Sequence, residues 1–504
     1  MTALRKFAIL CHRWMGVAFC LLFTWWFVSG IFMMYWDFPA VRDADRLAHA
    51  QPLDASRIRV SPEQAYIAVG IDIPPDQVRL ARFDGRPAYW FGAIPDQVIV
   101  YADDGKVQES YPPELNLRTA AAWAGLPSSD AKVEEIREPD QWTVAGALRD
   151  ALPLIKYSWP DGQHVYVGPT SGQVMQYTTH ASRLGAWLGP IPHWLYFTPL
   201  RVKDSLWSRI VIWLSGVGTL MAISGLVVGV LVYSPSKRYR YEGQPVGIPY
   251  SGTKRLHMIF GLFFGIVACT WAFSGMLSME PFPALAAGRP ATELEDRISH
   301  ALRAESVELA AFSERLPAAA LASVPPNLKV KELELVSFAG AAAYIVRGSV
   351  DPGETESSWV VPVRGAPGAM FERERMIDAI GRAVVPPQLA EVRIASQYEA
   401  YYVDRKGERP LPVLFVRVGG ERKGEEGAGF YVDPRTAKIV GRRNPGGWFN
   451  RWLYHGLHSL DFPWLYNHRP AWDIVVLLLL AGGTTLSVTS AIIAWKLLQR
   501  KIAG

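Results

Sequence analysis

The sequence predicts a duplicated α-helical membrane bundle of four transmembrane helices that carries two α+β domains outside the bilayer. Three observations predict it. Four charge-poor apolar stretches are each long enough to cross a membrane, which takes about 20 residues. The first and third stretches repeat one another without a gap. The two long intervals between spans are β-rich and charged. A chain of 504 residues exceeds one ordinary domain, and 50% hydrophobic with 20% charged residues suits a membrane protein with sizeable aqueous parts.

The spans run from Trp14 to Trp36, Ile210 to Tyr233, Met258 to Met279, and Ile474 to Trp495. The first is longer than a signal-peptide core, and bulky Met33, Met34, Tyr35 and Trp36 follow it where a cleavage site needs small residues. It reads as a retained helix. Short-loop charge sets direction. Arg5, Lys6 and Arg13, then Lys237, Arg238, Arg240, Lys254 and Arg255, then Lys496, Arg500 and Lys501 make eleven bases against the single acid Glu242. Both termini and the short loop are therefore expected in the cytoplasm, and the long intervals in the periplasm of a Gram-negative cell. The expected division is 1–36 tail and first helix, 37–205 first outer region, 206–233 second helix, 234–256 cytoplasmic loop, 257–279 third helix, 280–472 second outer region, and 473–504 fourth helix and tail.

At an offset of 245, His12 falls on His257, Gly16 on Gly261, Phe19 on Phe264, Trp26 on Trp271, and Ser29-Gly30 on Ser274-Gly275. Before the second and fourth spans, Trp194-Leu195-Tyr196 resembles Trp452-Leu453-Tyr454. Inside them Gly216, Thr219, Leu220 and Ser224 match Gly482, Thr485, Leu486 and Ser490. A parallel repeat implies a pseudo-two-fold axis along the membrane normal, with equivalent residues facing each other at one depth.

A smaller pattern recurs in the outer regions: a β-rich run, a turn, a short strand. It appears at Val98–Tyr101 with Asp103–Val107, at Val165–Val167 with Pro169–Val174, at Trp359–Val363 with Gly365, and at Phe430–Val432 with Asp433–Thr436. Asp-Gly and Pro-Thr-Ser-Gly are hairpin chemistry. Ser61-Pro62-Glu63-Gln64 reads as a capped helix start.

A helix followed by a small antiparallel sheet closing on Tyr-Val-Asp resembles the PepSY domain. The leading spans, with Cys11-His12-Arg13-Trp14-Met15-Gly16 and Leu256-His257-Met258-Ile259-Phe260-Gly261 before Ser-Gly, resemble the PepSY-associated transmembrane family over nearly the whole chain. The resemblance implies two periplasmic PepSY-like domains and a layout similar to inner-membrane haem-containing reductases of ferric siderophores. The chain departs from the pattern in places. Arg435-Thr436-Ala437-Lys438 lacks the turn glycine, and Val361–Gly365 is degenerate. Leu200 stands where His458 stands in the second half, with His193 nearby.

Of ten histidines, His12, His193, His257, His455, His458 and His468 lie at or near span ends. An imidazole there is costly without a partner, and facing helices commonly supply the two axial ligands of a b-type haem. His12 and His257 are the expected inner pair, with Gly16 and Gly261 one turn on, on the same face. On the outer side the expected ligands are His193 with either His458 or His455, the family position favouring His458. Arg13, Lys254 and Arg255 also suit an interfacial role for the inner histidines, and the outer ones sit in an aromatic belt. The expected cofactor is haem b, one or two groups; from His12 to Trp36 is about 36 Å at 1.5 Å per residue, too long for one electron step, which favours two, one near each face.

The net charge of +5 without a dense basic stripe gives nucleic-acid binding no support. Three cysteines, all in apolar helical stretches, exclude a disulfide framework. No dinucleotide, Walker or zincin motif is present, and the cytoplasmic segments are too short for a nicotinamide or flavin domain. The expected function is a haem-dependent oxidoreductase in which electrons come from quinol or a separate cytoplasmic reductase. They pass to a ferric siderophore or another periplasmic iron chelate. The alternative is a non-enzymatic membrane tether whose PepSY-like domains bind or inhibit proteases or act in envelope assembly.

Overall fold

Four helices carry the apolar spans: α1 (Ala3–Met33), α2 (Asp204–Val232), α3 (Gly252–Leu277) and α4 (Ala471–Ile502). The computed structural model describes residues 3–93, 97–282, 292–350, 357–384, 388–419, 427–444 and 447–502. Each helix is long and apolar enough to cross a membrane. All four begin before their apolar windows and α4 also runs past the end of its own, because backbone hydrogen bonding continues where hydrophobic sequence stops. α1, α2 and α3 end slightly short of Trp36, Tyr233 and Met279.

The chain divides into two compact units. The helical one comprises Met1–Phe38, Ala181–Gly288 and Gly446–Gly504. In it α1 and α3 each pack against both α2 and α4. Glycines permit the close approaches: a Cβ on Gly218 would lie 2.9 Å from the Phe23 ring, and one on Gly482 or Gly483 would run into Phe264 or Phe27. The short loop folds as a two-stranded ribbon, Tyr239–Tyr241 with Gln244–Val246.

The second unit, Pro39–His180 with Arg289–Pro445, joins both outer segments. Its central antiparallel sheet has the order Ser357–Pro362, Ala341–Ser349, Lys329–Phe338, Val78–Phe83, Arg86–Phe91, Val98–Tyr101. The halves meet at one seam, where Leu80 pairs with Leu333 and Arg79 with Glu334. Two outer regions are therefore not two separate domains here. On one face Val78, Leu80, Tyr89, Leu333, Leu335 and Tyr344 form a continuous core. On the other, Phe83, Trp90 and Tyr101 form one apolar cluster, and Val336, Phe338 and Ile345 belong to another. A charged strip lies along the seam between them.

In that strip Glu332 meets Arg46 at 2.8 Å and Arg79 at 3.4 Å, and Glu334 meets Arg303 at 2.7 Å and Arg347 at 3.1 Å. Burial pushes the Glu334 carboxyl up, but Arg303, Lys438 and Arg347 outweigh it and hold it down at about 2. Each half adds a four-stranded sheet. The first (Lys132–Ile136, Leu154–Ser158, His164–Val167, Val174–Thr178) is covered by the helix Pro113–Ala124. The second (Leu389–Ala395, Val413–Val418, Gly429–Asp433, Lys438–Arg443) packs Leu414, Val416 and Phe430 against the helix Arg373–Ala383.

Two of the four expected hairpins form fully, at His164–Val167 with Val174–Thr178 and at Gly429–Asp433 with Lys438–Arg443. The other two shrink to single bridges, Val100 with Val107 and Val360 with Gly368. Ala437 adopts φ +55° although it carries a Cβ; Asp433, accepting from Arg435 N and Thr436 Oγ1, holds the turn. Ser61 caps Pro62–Ile67 through a capping box with Gln64, as its sequence predicts.

Candidate functional site

Inside the helical unit the histidines form two facing pairs. The His12 and His257 ring centres are 6.3 Å apart with planes inclined at 31°. Those of His193 and His458 are 6.1 Å apart at 70°. His12 lies on α1 and His257 on α3; both end a stretch of helix that begins with polar, basic residues. The outer histidines ride on short segments before α2 and α4. His193 is on Pro190–Trp194, and His458 is on Leu457–Ser459, which continues a π-helical turn at Asn450–Gly456. Such turns concentrate at functional sites.

Every one of the four rings directs Nδ1 at an oxygen. His12 Nδ1 lies 3.3 Å from the Met221 carbonyl and His257 Nδ1 lies 3.3 Å from the Leu486 carbonyl. A carbonyl only accepts, so Nδ1 carries the proton and Nε2 the lone pair. Ser224 Oγ and Thr489 Oγ1 stand beside the same nitrogens at 3.4 and 3.3 Å. For the outer pair the acceptors are Ser29 Oγ and Ser274 Oγ, each at 3.0 Å. Those hydroxyls give their own protons to the Trp25 and Trp271 carbonyls, at 2.6 and 3.2 Å, and so accept from the imidazoles. All four rings thus hold the tautomer that metal-ligating histidines use, oriented by a second hydrogen bond.

These contacts correct the repeat register. The Trp-Leu-Tyr match places Leu200 opposite His458, yet His193 occupies that role. Two residues after each histidine, Leu195 and Leu460 turn left-handed at φ +55° and +52°. One residue after each, a carbonyl accepts from an indole: Trp207 Nε1 to Trp194 at 2.7 Å, Trp472 Nε1 to Ser459 at 3.1 Å. The operative offset is 265, one less than the small-residue match inside the second and fourth spans. Glycines and leucines recur too often in apolar helices to fix a register; hydrogen bonds do fix it. His455, the other outer candidate, is exposed and packs its ring on Tyr454 at 4.5 Å.

A cavity of about 300 Å³ opens among all four helices around the inner pair. Gly16 and Gly261 line it, and a Cβ on either would meet nothing nearer than 3.7 Å. Gly225 is different: its Cβ would sit 2.6 Å from His12 Cε1. Arg13 and Lys254 also line the cavity, as do Phe23 and Phe27. Phe23 packs on Trp26 and Phe27 on Trp271, both at 5.7 Å. Trp25 and Trp213, which also lie along the spans, are 55% and 71% exposed and face out of the bundle. Ser29 lies 17 residues beyond His12, so about 25 Å separates the two levels.

The family model for the PepSY-associated TM region matches the sequence twice, over residues 9–293 and 254–503. The chain belongs to the PepSY-associated transmembrane family. No curated protein matches it. In this PepSY-associated chain both histidine levels fall within the matched segments, and the two matches together take in all four long helices. Sequence reasoning noticed Ser29-Gly30 and Ser274-Gly275 as a repeat but missed their use as imidazole acceptors. It missed Gly225 and Thr489 altogether, since neither stands in a motif. Among the described residues no three His, Cys, Asp or Glu side chains converge as a metal site. Each histidine level therefore rests on a pair of nitrogen donors.

Proposed function

We propose that the protein is a haem-dependent electron carrier of the bacterial inner membrane that reduces a periplasmic ferric siderophore or similar iron chelate and so releases Fe(II). The two facing imidazole pairs carry this reading. An iron held between two imidazole nitrogens at about 2 Å each would need ring centres about 6 Å apart. Separations of 6.3 and 6.1 Å match that at both levels. In this reading His12 and His257 would hold a haem b at the inner level, beside the cavity they line, and His193 and His458 would hold one at the outer. A metal ion held by protein alone takes four or more donors; a porphyrin would supply those that two imidazoles do not.

Haem supplies reversible one-electron chemistry. The chain supplies position and environment. Met221, Leu486, Ser29 and Ser274 fix the imidazole planes. Gly16 and Gly261 keep the inner cavity wall low. Arg13 and Lys254 provide cations for acidic groups of a ligand there. Phe23, Phe27 and Trp271 pack against one another in the interval between levels.

The eleven bases on the tails and short loop support cytoplasmic termini and a periplasmic outer unit. The short loop folds as a small ribbon, and in this reading quinol or a separate cytoplasmic reductase would be the donor. Each Fe(III) takes one electron, and a quinol giving two electrons and two protons serves two ferric ions. The iron chelate as acceptor is supported by family resemblance. The test is a visible spectrum of purified protein, oxidised and dithionite-reduced, with haem quantified. A sharp reduced α-band at two haems per chain is expected; colourless protein from haem-replete cells would overturn the reading.

A further inference from the structure

A second cavity, of about 620 Å³, lies wholly within the outer unit, against the charged strip at the seam. Three of the residues that line it hold buried side-chain donors without an acceptor among the described residues. Trp90 is 6% exposed and Gln173 7% exposed, and among the described residues neither Trp90 Nε1 nor Gln173 Nε2 has a hydrogen-bond partner. Trp123 Nε1, also on the wall, is buried without a partner too. Leaving such a donor buried and unsatisfied costs about 1–3 kcal/mol. All three orphaned groups are N–H donors; none on this wall is an acceptor.

Charge has the same bias. Arg42, Arg46, Arg79, Arg82 and Arg118 line the cavity against Asp43, Asp84 and Glu332. Arg118 is engaged by Asp84, and Arg42 by Glu408. Glu332 is shared among Arg46, Arg79 and Arg347. Arg79 also donates to Gln97 Oε1 at 3.1 Å and lies over the Trp90 ring at 4.3 Å, and burial and the neighbouring Arg46 push its guanidinium down, to about 10. Leu47, Phe83, Val174 and Met175 give the remaining wall an apolar surface. The volume falls in the range of small-molecule sites and far exceeds what an inorganic ion fills.

We propose that this cavity is a binding site for a small organic anion. The carboxylate would accept from Trp90 Nε1 and Gln173 Nε2 beside Arg79, and the apolar body would lie against Phe83 and Met175. Nothing in this depends on the histidine pairs, so either reading can fail alone.

Fluorine NMR on the full chain in lipid nanodiscs tests it, with 4-fluorobenzoate as anionic probe and 4-fluorobenzyl alcohol as uncharged probe; empty nanodiscs give the baseline. The expected result is selective broadening of 4-fluorobenzoate. Its dissociation constant should rise about tenfold in Trp90→Phe and in Gln173→Leu, each losing one charge-assisted hydrogen bond. Trp123→Phe, at a less buried position, gives a third reading should either core variant misfold. Equal behaviour of the two probes, no binding of 4-fluorobenzoate, or affinity unchanged in the variants would overturn the proposal.

Discussion

The inner and outer histidine pairs look alike in spacing and are built in opposite ways. At the inner level α1 and α3 supply the imidazoles while α2 and α4 supply the acceptors, through the Met221 and Leu486 carbonyls. At the outer level α1 and α3 supply the acceptors, Ser29 and Ser274, and the imidazoles come from segments leading into α2 and α4. The acceptors differ as well. A helix carbonyl is fixed by the backbone and can only accept, whereas a serine hydroxyl can donate or accept and is left to accept here because its own proton is engaged by another carbonyl. Each level thus needs both halves of the chain, and neither can be assembled from one repeat.

The largest effect expected from this contrast is separation of the two levels by mutation. His257→Ala should remove one haem per chain and leave the other, and His458→Ala should do the reverse; haem assay and reduced-minus-oxidised spectra of both variants read the outcome. Loss of both haems from either variant would break the view of two independent levels. Gly225→Leu comes next. Its side chain must enter the space of the His12 ring, so the inner haem should be nearly absent while the outer one stays, seen in the same spectra.

A smaller loss follows from the hydroxyl acceptors. Ser29→Ala or Ser274→Ala removes the group that orients one outer imidazole, and retention of that haem should weaken about ten- to a hundredfold. Competition with apo-myoglobin would measure it; equal weakening at the inner level would count against the assignment. The smallest effect belongs to Gly16→Ala and Gly261→Ala. Each new methyl meets ordinary contacts at 3.7 Å. Haem content should hold, and thermal stability should rise by up to about 1 kcal/mol from helix propensity. Loss of the inner haem in these variants would mean that the cavity wall is already filled to contact.

The sequence made the four spans legible because hydrophobic length is a local signal. The inner pair was legible because His12 and His257 sit in motifs that repeat at one offset. The outer pair was only half legible: Trp-Leu-Tyr occurs in both halves for reasons of aromatic packing and draws the alignment off by seven residues. His193 and His458 are revealed as equivalents by Leu195, Leu460, Trp207 and Trp472, whose roles are conformational. The seam was illegible. Val78–Phe83 and Lys329–Phe338 alternate as strands do, yet nothing in either names a partner some 250 residues away. Arg79 and Glu332 read as solvated strand positions until that pairing buries them together.

That seam also constrains how the protein is made. Until the second outer segment has been synthesised, the strand Val78–Phe83 has its neighbour Arg86–Phe91 on one side and open backbone amides and carbonyls on the other. A ribosome must add some 250 further residues, including two whole membrane-spanning helices, before Lys329–Phe338 can close that edge. For that interval the nascent chain carries a sticky strand of the kind that invites pairing with other molecules, and its protection falls to whatever attends the growing chain and not to the finished fold.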